Sequence, residues 1–382
     1  MYPPQNGAEV RLAKTAEKLA DVGDLWVASP PAAGEPPNGV AMIELTSPLW
    51  TYQPVWNELW TGLFALSQRH PLRGPLADAI VKAVERTDVA FDIIVCEFPQ
   101  VTDAARRLAK AHDAKLLLNK HNADHEMLGS VLRERGVPAM VRRRAVGNFR
   151  AFETAALDAA DAVVFQSVDD REQFEIPGGT DSFVIPNGCD FDWISEGGDP
   201  EAAAEECGVS GDRFTCVFLG SYDYAPNHSA ATLIDEEIAP ALPDIDFLLL
   251  GRNPPSLSEP TVYTPGYVDE LAGALQLADV ALCPLFSGSG TKLKMLDYFA
   301  AGLPVVSTPV GVQGLLVAPG EDVLVYDSAA GFVDGIERLQ SSAALRRRLG
   351  SAGRDIAAGH SWKSLMAEYD PVFEALLETQ TA

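Results

Sequence analysis

Short apolar runs alternate along this chain with stretches whose apolar positions recur at helical spacing. In the first half, residues 24–29, 40–45, 92–98, 115–121, 161–167 and 182–188 read as strands, and 9–21, 76–86, 101–112, 140–158 and 168–175 as helices. The second half repeats the pattern. Its strands fall at 214–220, 246–251, 261–266, 279–285, 304–308 and 323–327, and its helices at 228–241, 269–277, 292–301 and 330–341. Strands this apolar are buried on both faces, and their alternation with helices is the mark of a parallel sheet covered by helices. The polar, acidic, glycine-containing residues 188–212 separate the two series and read as a linker. The predicted class is α/β, with two doubly wound Rossmann-like domains facing a cleft: a first over 1–190, a second over 210–350, and a closing segment over 351–382.

The start of the chain departs from this grammar. A doubly wound domain ordinarily opens on a central strand, yet Met1 is followed by the loop sequence Tyr2-Pro3-Pro4-Gln5-Asn6-Gly7 and then a helix from about Glu9. Losing a central strand would leave neighbours on both sides without hydrogen-bonding partners. We therefore expect the true start to lie upstream of this Met1.

Composition narrows the function classes. The 382 residues suit two or three domains, at about 150 residues each. Lys plus Arg number 29 against 54 Asp plus Glu, a formal net charge of −25, which disfavours a nucleic-acid binder because phosphate-backbone affinity needs a broad basic surface. The hydrophobic fraction of 47% excludes intrinsic disorder despite that charge. Cys96, Cys189, Cys207, Cys216 and Cys283 include no C-x-x-C pair, and three lie in apolar runs, so neither a disulfide framework nor a zinc site is expected. No apolar run reaches the roughly 18 residues that span a bilayer, and no charged leader precedes an apolar stretch, which points to the cytoplasm.

The most informative stretch is 279–308. An apolar strand ends at Pro284-Leu285, the small-residue loop Ser287-Gly288-Ser289-Gly290-Thr291 follows, and a helix starts near Lys292. In a doubly wound sheet that loop lies at the carboxyl edge, where ligands bind. Glycines let a phosphate approach the backbone, and the free N–H groups of the first helical turn point at it. Lys292 and Lys294 are cations where a helix disfavours them unless an anion is present, so they suggest a bound diphosphate. Asp297, on nearly the same helix face as Lys294, is placed to accept hydrogen bonds from a ribose diol. An ordinary glycine turn with solvated lysines and a surface aspartate fits the loop taken alone equally well. The phosphate-binding pattern G-x-x-x-x-G-K-[ST] is absent.

The same stretch resembles the donor-site motif of the family 4 retaining glycosyltransferases (glycosyl transferases group 1), which have the GT-B fold. Asp297-Tyr298-Phe299-Ala300-Ala301-Gly302-Leu303-Pro304-Val305 aligns with the second half of that motif, and Ser289 takes the place of its first acidic residue. Pro3-Pro4-Gln5-Asn6-Gly7 resembles the family's glycine loop after strand 1, which implies acceptor-side roles for Asn6 and Gly7. Leu118 to Asp124 resembles an H-N-x-E segment, Ala160 to Ser167 an AD-x-V-x-x-x-S piece, and Val184 to Gly188 the V-I-P-N-G piece. Phe218-Leu219-Gly220-Ser221, Leu250-Gly251-Arg252 and Pro265-Gly266-Tyr267-Val268 follow in family order, the last implied to meet the nucleobase through Tyr267 and Val268. The helix around Trp362 to Leu377 resembles the family's C-terminal helix, which crosses back to the first domain. Many relatives carry an Arg and a Lys after the Gly220 position. Here Ser221 to Asn227 holds no cation, which leaves Lys292, Lys294 and Arg252 for the leaving phosphate, beside the N–H groups of Gly290 and Thr291.

Other candidates follow the same lines. His121 ends a buried strand at the carboxyl edge beside Asn122 and Asp124, and the resemblance implies contact with the transferred sugar; a turn histidine satisfied by Asp124 is the alternative. Asp244-Ile245-Asp246 and Asp190-Phe191-Asp192 mimic a metal-binding D-x-D, but the first lies at the wrong sheet edge and the second in the linker, so no metal is expected. Arg133, Arg135, Arg142, Arg143, Arg144 and Arg150 form a basic patch suited either to an anionic acceptor or inner membrane face, or to a solvated helix paired with local acids. Trp50, Tyr52, Trp56, Trp60 and Phe64 form an aromatic cluster whose helical spacing reads first as core packing.

The expected activity is metal-independent, cofactor-free transfer of a sugar from a nucleotide-diphosphate sugar to a glycan or lipid-linked acceptor, with no nucleic-acid partner. Two alternatives stand beside it: a nucleotide-sugar epimerase of the same fold, and a non-catalytic donor-binding or scaffold subunit.

Overall fold

The computed structural model describes residues 7–30, 36, 38–45, 73–288 and 290–378. The aromatic cluster from Trp50 to Phe64, Asn6 and Ser289 lie outside the described residues. The chain divides into two compact units, one formed by residues 1–186 and 366–382 and the other by 187–365.

The first unit holds two parallel sheets. β1 (Leu25–Ser29) pairs with β2 (Val40–Glu44), and β3 (Ile93–Cys96), β4 (Lys115–Lys120), β5 (Ala162–Phe165) and β6 (Asp181–Val184) pair in that order. Among the described residues β1 pairs only with β2 and β3 only with β4. Residues 25–27 and 93–95 are only half-buried, whereas β5 is buried throughout. Helix α1 (Gly7–Val22) precedes β1, and α2 (Arg73–Val84) covers the sheets with Ala77, Ile80, Val81 and Val84. Helix α3 (Thr102–His112) buries Ala104, Ala105, Leu108 and Ala109, one helical stripe, against the same layer. Helices α4 (Asp124–Glu134) and α5 (Ala139–Leu157) make up the connection from β4 to β5, and α6 (Val168–Glu172) the one from β5 to β6.

Residues 188–212 are not a linker. They fold as α7 (Phe191–Glu196) and α8 (Pro200–Cys207), and Cys189, Ile194, Ala203 and Cys207 enter the second unit's core. Helix α8 is set by local chemistry. Asp199 accepts from the N–H groups of Glu201 and Ala202, Pro200 opens the helix, and Gly208 closes it at φ 70°. The acidic polarity of the segment marks the solvent face of two short helices, and its few apolar residues anchor them.

The second unit is one six-stranded parallel sheet, all five neighbouring pairs running the same way. In chain order its strands are β7 (Thr215–Leu219), β8 (Asp246–Leu250), β9 (Val262–Gly266), β10 (Val280–Cys283), β11 (Val305–Ser307) and β12 (Leu324–Val325). Across the sheet they lie β12-β11-β10-β7-β8-β9. The chain winds outward from β7 on one side and, from β10, on the other, so the topological switch point falls between these two strands. Helices α9 (Ala225–Leu233), α10 (Leu271–Gln276), α11 (Leu293–Ala300), α12 (Ala329–Ser341) and α13 (Ala343–Ala358) complete it. Helix α14 (Trp362–Ala367) carries the chain to the boundary, and α15 (Asp370–Glu378) belongs to the first unit. There Lys18 pairs with Asp370 at 2.5 Å, and Arg11, 1% exposed, donates to the carbonyls of Ile185 and Pro186. Among the described residues no helix is long and apolar enough to cross a membrane.

Candidate active site

In an open parallel sheet, ligands bind outside the carboxyl ends of the strands flanking the switch point. In the second unit these are the ends of β7 and β10, and most of the residues singled out in this half of the sequence collect there. Gly220 follows β7, and Gly251, at φ 129°, follows β8; a Cβ on Gly251 would stand 1.8 Å from the Gly220 carbonyl oxygen, so only glycine permits this approach. After β10 the chain turns through Gly288 and Gly290, at φ 117° and 70°, into α11.

Lys292 occupies the N-cap position of α11, buried, with its Nζ donating to the Gly290 carbonyl at 2.6 Å. Lys294, half-buried in the first turn, donates to Asn227 Oδ1 at 2.8 Å, and its Nζ lies 4.2 Å from the Phe218 ring centroid. Asn227 in turn donates to the Ser221 carbonyl at 2.8 Å, so one amide ties the loop after β7 to the helix after β10. Asn227 was not singled out from the sequence, where nothing in its spacing marks it; only the neighbouring of β7 and β10 brings it to Lys294.

The desolvating surroundings push Lys294 down to about 8, with the Lys292 charge adding to the shift and Asp297 opposing it. Burial likewise lowers Lys292. Lys294 is therefore a weaker cation than its sequence implies, partly neutral in mildly alkaline solution. Asp297, one turn on, is pushed up to about 7 by desolvation, further by Asp190, and against the pull of Lys294. Desolvation thus disfavours its charged form.

The remaining second-unit candidates lie at the ends of β8 and β9. The Arg252 guanidinium sits 5.2 Å from the ring centroid of Tyr267, which is 63% exposed, and the Arg252 carbonyl accepts from the Tyr222 N–H at 3.0 Å. Val268 is buried in the core. Thr291 lies against Gly314, where a Cβ would stand 2.5 Å from its hydroxyl. Asp246 opens β8, with Arg213 at 2.7 Å, and Asp190 precedes α7 rather than lying in a linker.

In the first unit, Gly7 is the first residue of α1. His121 follows β4 at the carboxyl edge, buried, and its partners are not Asp124 but Glu97 and Gln166. Its Nε2 lies 3.0 Å from Glu97 Oε2, its Nδ1 lies 2.6 Å from Gln166 Nε2, and its ring stacks on Phe98 at 5.1 Å. Asp124 instead faces Lys120, at 3.7 Å. Lys120 and Glu153, both side chains fully buried, pair at 2.5 Å, and Glu153 also takes His125 Nδ1 at 2.6 Å. Burial alone would raise Glu153, but the His125 hydrogen bond and the Lys120 charge hold it below the usual range. This buried triad braces the loop that carries His121, and it makes His125 structural.

Comparison with known proteins fits this geometry. Residues 213–342 match the family described as glycosyl transferases group 1. Phosphatidyl-myo-inositol mannosyltransferase of Mycobacterium leprae is 27% identical over 213 residues, 52% of this chain and 54% of that protein. The match thus spans about half the length of the curated relative. Among solved structures, sucrose-phosphate synthase from Thermosynechococcus elongatus superposes with a TM-score of 0.74 at 17% identity, covering 98% of this chain and 94% of that one. Anabaena HepE, solved in complex with UDP-glucose, superposes with a TM-score of 0.67 at 15% identity, covering 97% and 98%. The chain has the GT-B fold. Residues 213–342, within its second unit, are similar to the group 1 glycosyltransferases.

Proposed function

We propose that the protein is a retaining, metal-independent glycosyltransferase. Its second unit holds a nucleotide-diphosphate sugar, and its first unit an acceptor hydroxyl on a glycan or lipid-linked saccharide. The observation that carries this reading is the pair Lys292 and Lys294 at the head of α11, beside the switch point of the sheet. A diphosphate is a ligand whose charge and size would meet both lysines. In this reading the N–H groups of Gly290 and Thr291, with Arg252, join them at the diphosphate, Asp297 takes the ribose, and Tyr267 and Val268 meet the base through backbone groups. HepE, solved with UDP-glucose, supports a nucleotide-sugar donor, and the mannosyltransferase relatives support hexosyl transfer. Retention follows a front-face course in which the departing diphosphate takes up the acceptor proton; the lysines and N–H groups stabilise its charge.

A cytoplasmic protein with peripheral contact at the inner membrane face completes the proposal. Arg133, Arg135, Arg143, Arg144 and Arg150 are exposed on α4, α5 and the turn between them, next to Met140, which is 84% exposed. Such a basic patch with an apolar tip suits anionic lipid.

Incubation with a panel of UDP- and GDP-sugars tests the reading. Slow donor hydrolysis is expected, whereas conversion to an epimer without acceptor would indicate an epimerase, and binding without turnover a scaffold. Lys292→Ala and Lys294→Ala should each lower kcat/KM by roughly 10²–10³, about 3–4 kcal/mol of lost charge stabilisation. If both variants stay within about threefold of the parent, the donor site is misplaced.

A further inference from the structure

The carboxyl edge of the first unit presents a second acidic group that its sequence context does not flag. β3, β4 and β5 are consecutive neighbours, with Cys96 opposite Leu118 and Lys120 opposite Phe165. The residues immediately beyond these pairs, Glu97, His121 and Gln166, therefore stand side by side along one edge. Gln166 Nε2 donates to His121 Nδ1, which fixes the ring proton on Nε2, and that N–H donates to Glu97. Both ring nitrogens are thus engaged inside the unit, and the histidine side chain is 7% exposed against 23% for Glu97.

A second set of bonds fixes the other carboxylate oxygen. Asn119 Nδ2 donates to Glu97 Oε1 at 2.8 Å, and Asn119 Oδ1 accepts from the Tyr369 hydroxyl at 3.1 Å. Tyr369, buried just ahead of α15, is in turn within 3.4 Å of the Arg11 guanidinium. Among the described residues, each oxygen of Glu97 meets one of these donors. Beside it, Phe98 is 39% exposed, with one ring face on His121. A fixed carboxylate next to an exposed aromatic face matches a saccharide, which offers hydroxyl donors on its rim and C–H groups on its face.

We propose that Glu97 is the group of the first unit that binds the acceptor hydroxyl, and that His121, Asn119 and Tyr369 are positioning residues that hold its carboxylate. This rests on the glycosyl-transfer reading above and assigns its acceptor side to a saccharide or polyol hydroxyl. The imidazole acts through Glu97 rather than directly on the sugar.

The test compares the full-length protein with Glu97→Gln. Transfer from the active nucleotide sugar to methyl hexosides should fall about 10- to 100-fold, the cost of one hydrogen bond to a charged group, while the dissociation constant for UDP, assigned to the second unit, stays within about threefold. An equal loss of UDP binding, or no loss in transfer, overturns the assignment. A second measurement does not depend on turnover. In 15N-histidine spectra His121 should show the Nε2–H tautomer, and its signals should shift on titration with a methyl hexoside in the parent protein but not in Glu97→Gln. A parent spectrum with the Nδ1–H tautomer, or with no shift on titration, also overturns it, whereas absent turnover with intact histidine shifts counts against the transfer reading alone. Tyr369→Phe should raise the acceptor KM and leave UDP binding unchanged; an unchanged KM removes Tyr369 from the positioning set.

Discussion

At the scale of single residues, Lys294 and Asp297 are held away from their ordinary protonation by their surroundings. With Lys294 near 8 in the ligand-free protein, a bound diphosphate would favour the charged ammonium and raise that value. UDP binding should therefore take up protons, most strongly above pH 8, between the free and the raised Lys294 values; Asp297, near 7, is by then largely ionised and has little proton to release. Calorimetric titration in buffers of differing ionisation enthalpy measures this, and Lys294→Met should abolish the uptake. The same two groups set a stability trend. The raised Asp297 costs nothing below its unfolded value of 3.8 and most above about 7, so its contribution to stability falls as pH rises through that window. The lysines, the glycines and Asp297 were legible in the sequence because helix starts, small-residue loops and charge at a dipole have local rules. Asn227, Glu97 and Gln166 were not. Each acts through a partner distant in sequence, supplied by a neighbouring strand or helix.

At the scale of elements, the apolar pattern located every described strand and most helices, with ends displaced by a few residues. It missed α4 and α13, and in 188–212 it reads a linker although Asp199-Pro200 and Gly208 are a helix start and stop. The polar face outweighed the caps because these short helices bury only a narrow apolar stripe. Packing between elements also sets hidden limits. A Cβ on Gly350 of α13 would lie 2.1 Å from the Gly302 carbonyl just after α11, and one on Gly353 would lie 2.6 Å from the Phe299 ring. Gly350→Val should destabilise the second unit by about 1–3 kcal/mol or more through overpacking, read as a lower melting temperature, and should weaken UDP binding because α11 carries the lysines. A melting temperature unchanged within a degree would show that α13 can withdraw from the helix that presents the site.

At the scale of the whole molecule, a net charge of −25 repels itself, and salt screens exposed charges separated by about 10 Å at 0.1 M. Raising sodium chloride from 0.05 to about 1 M should raise the melting temperature, whereas a flat response would mean the acids are already paired. The first unit also depends on the chain's last helices, since Tyr369, Val372, Phe373 and Leu376 are buried in it. Phe373→Ala should cost about 3–5 kcal/mol and shift the transition of that unit alone in a thermal scan. The sequence by itself determined the α/β class, the repeated strand–helix grammar and the glycine-rich loop with its two lysines at the head of α11, because burial periodicity and helix-terminus chemistry are local. Only the tertiary structure decided which strands are neighbours. That order places the switch point between β7 and β10, joins Lys294 to Asn227, and sets Glu97 beside His121, since parallel pairing brings together strand ends that lie tens of residues apart in the chain.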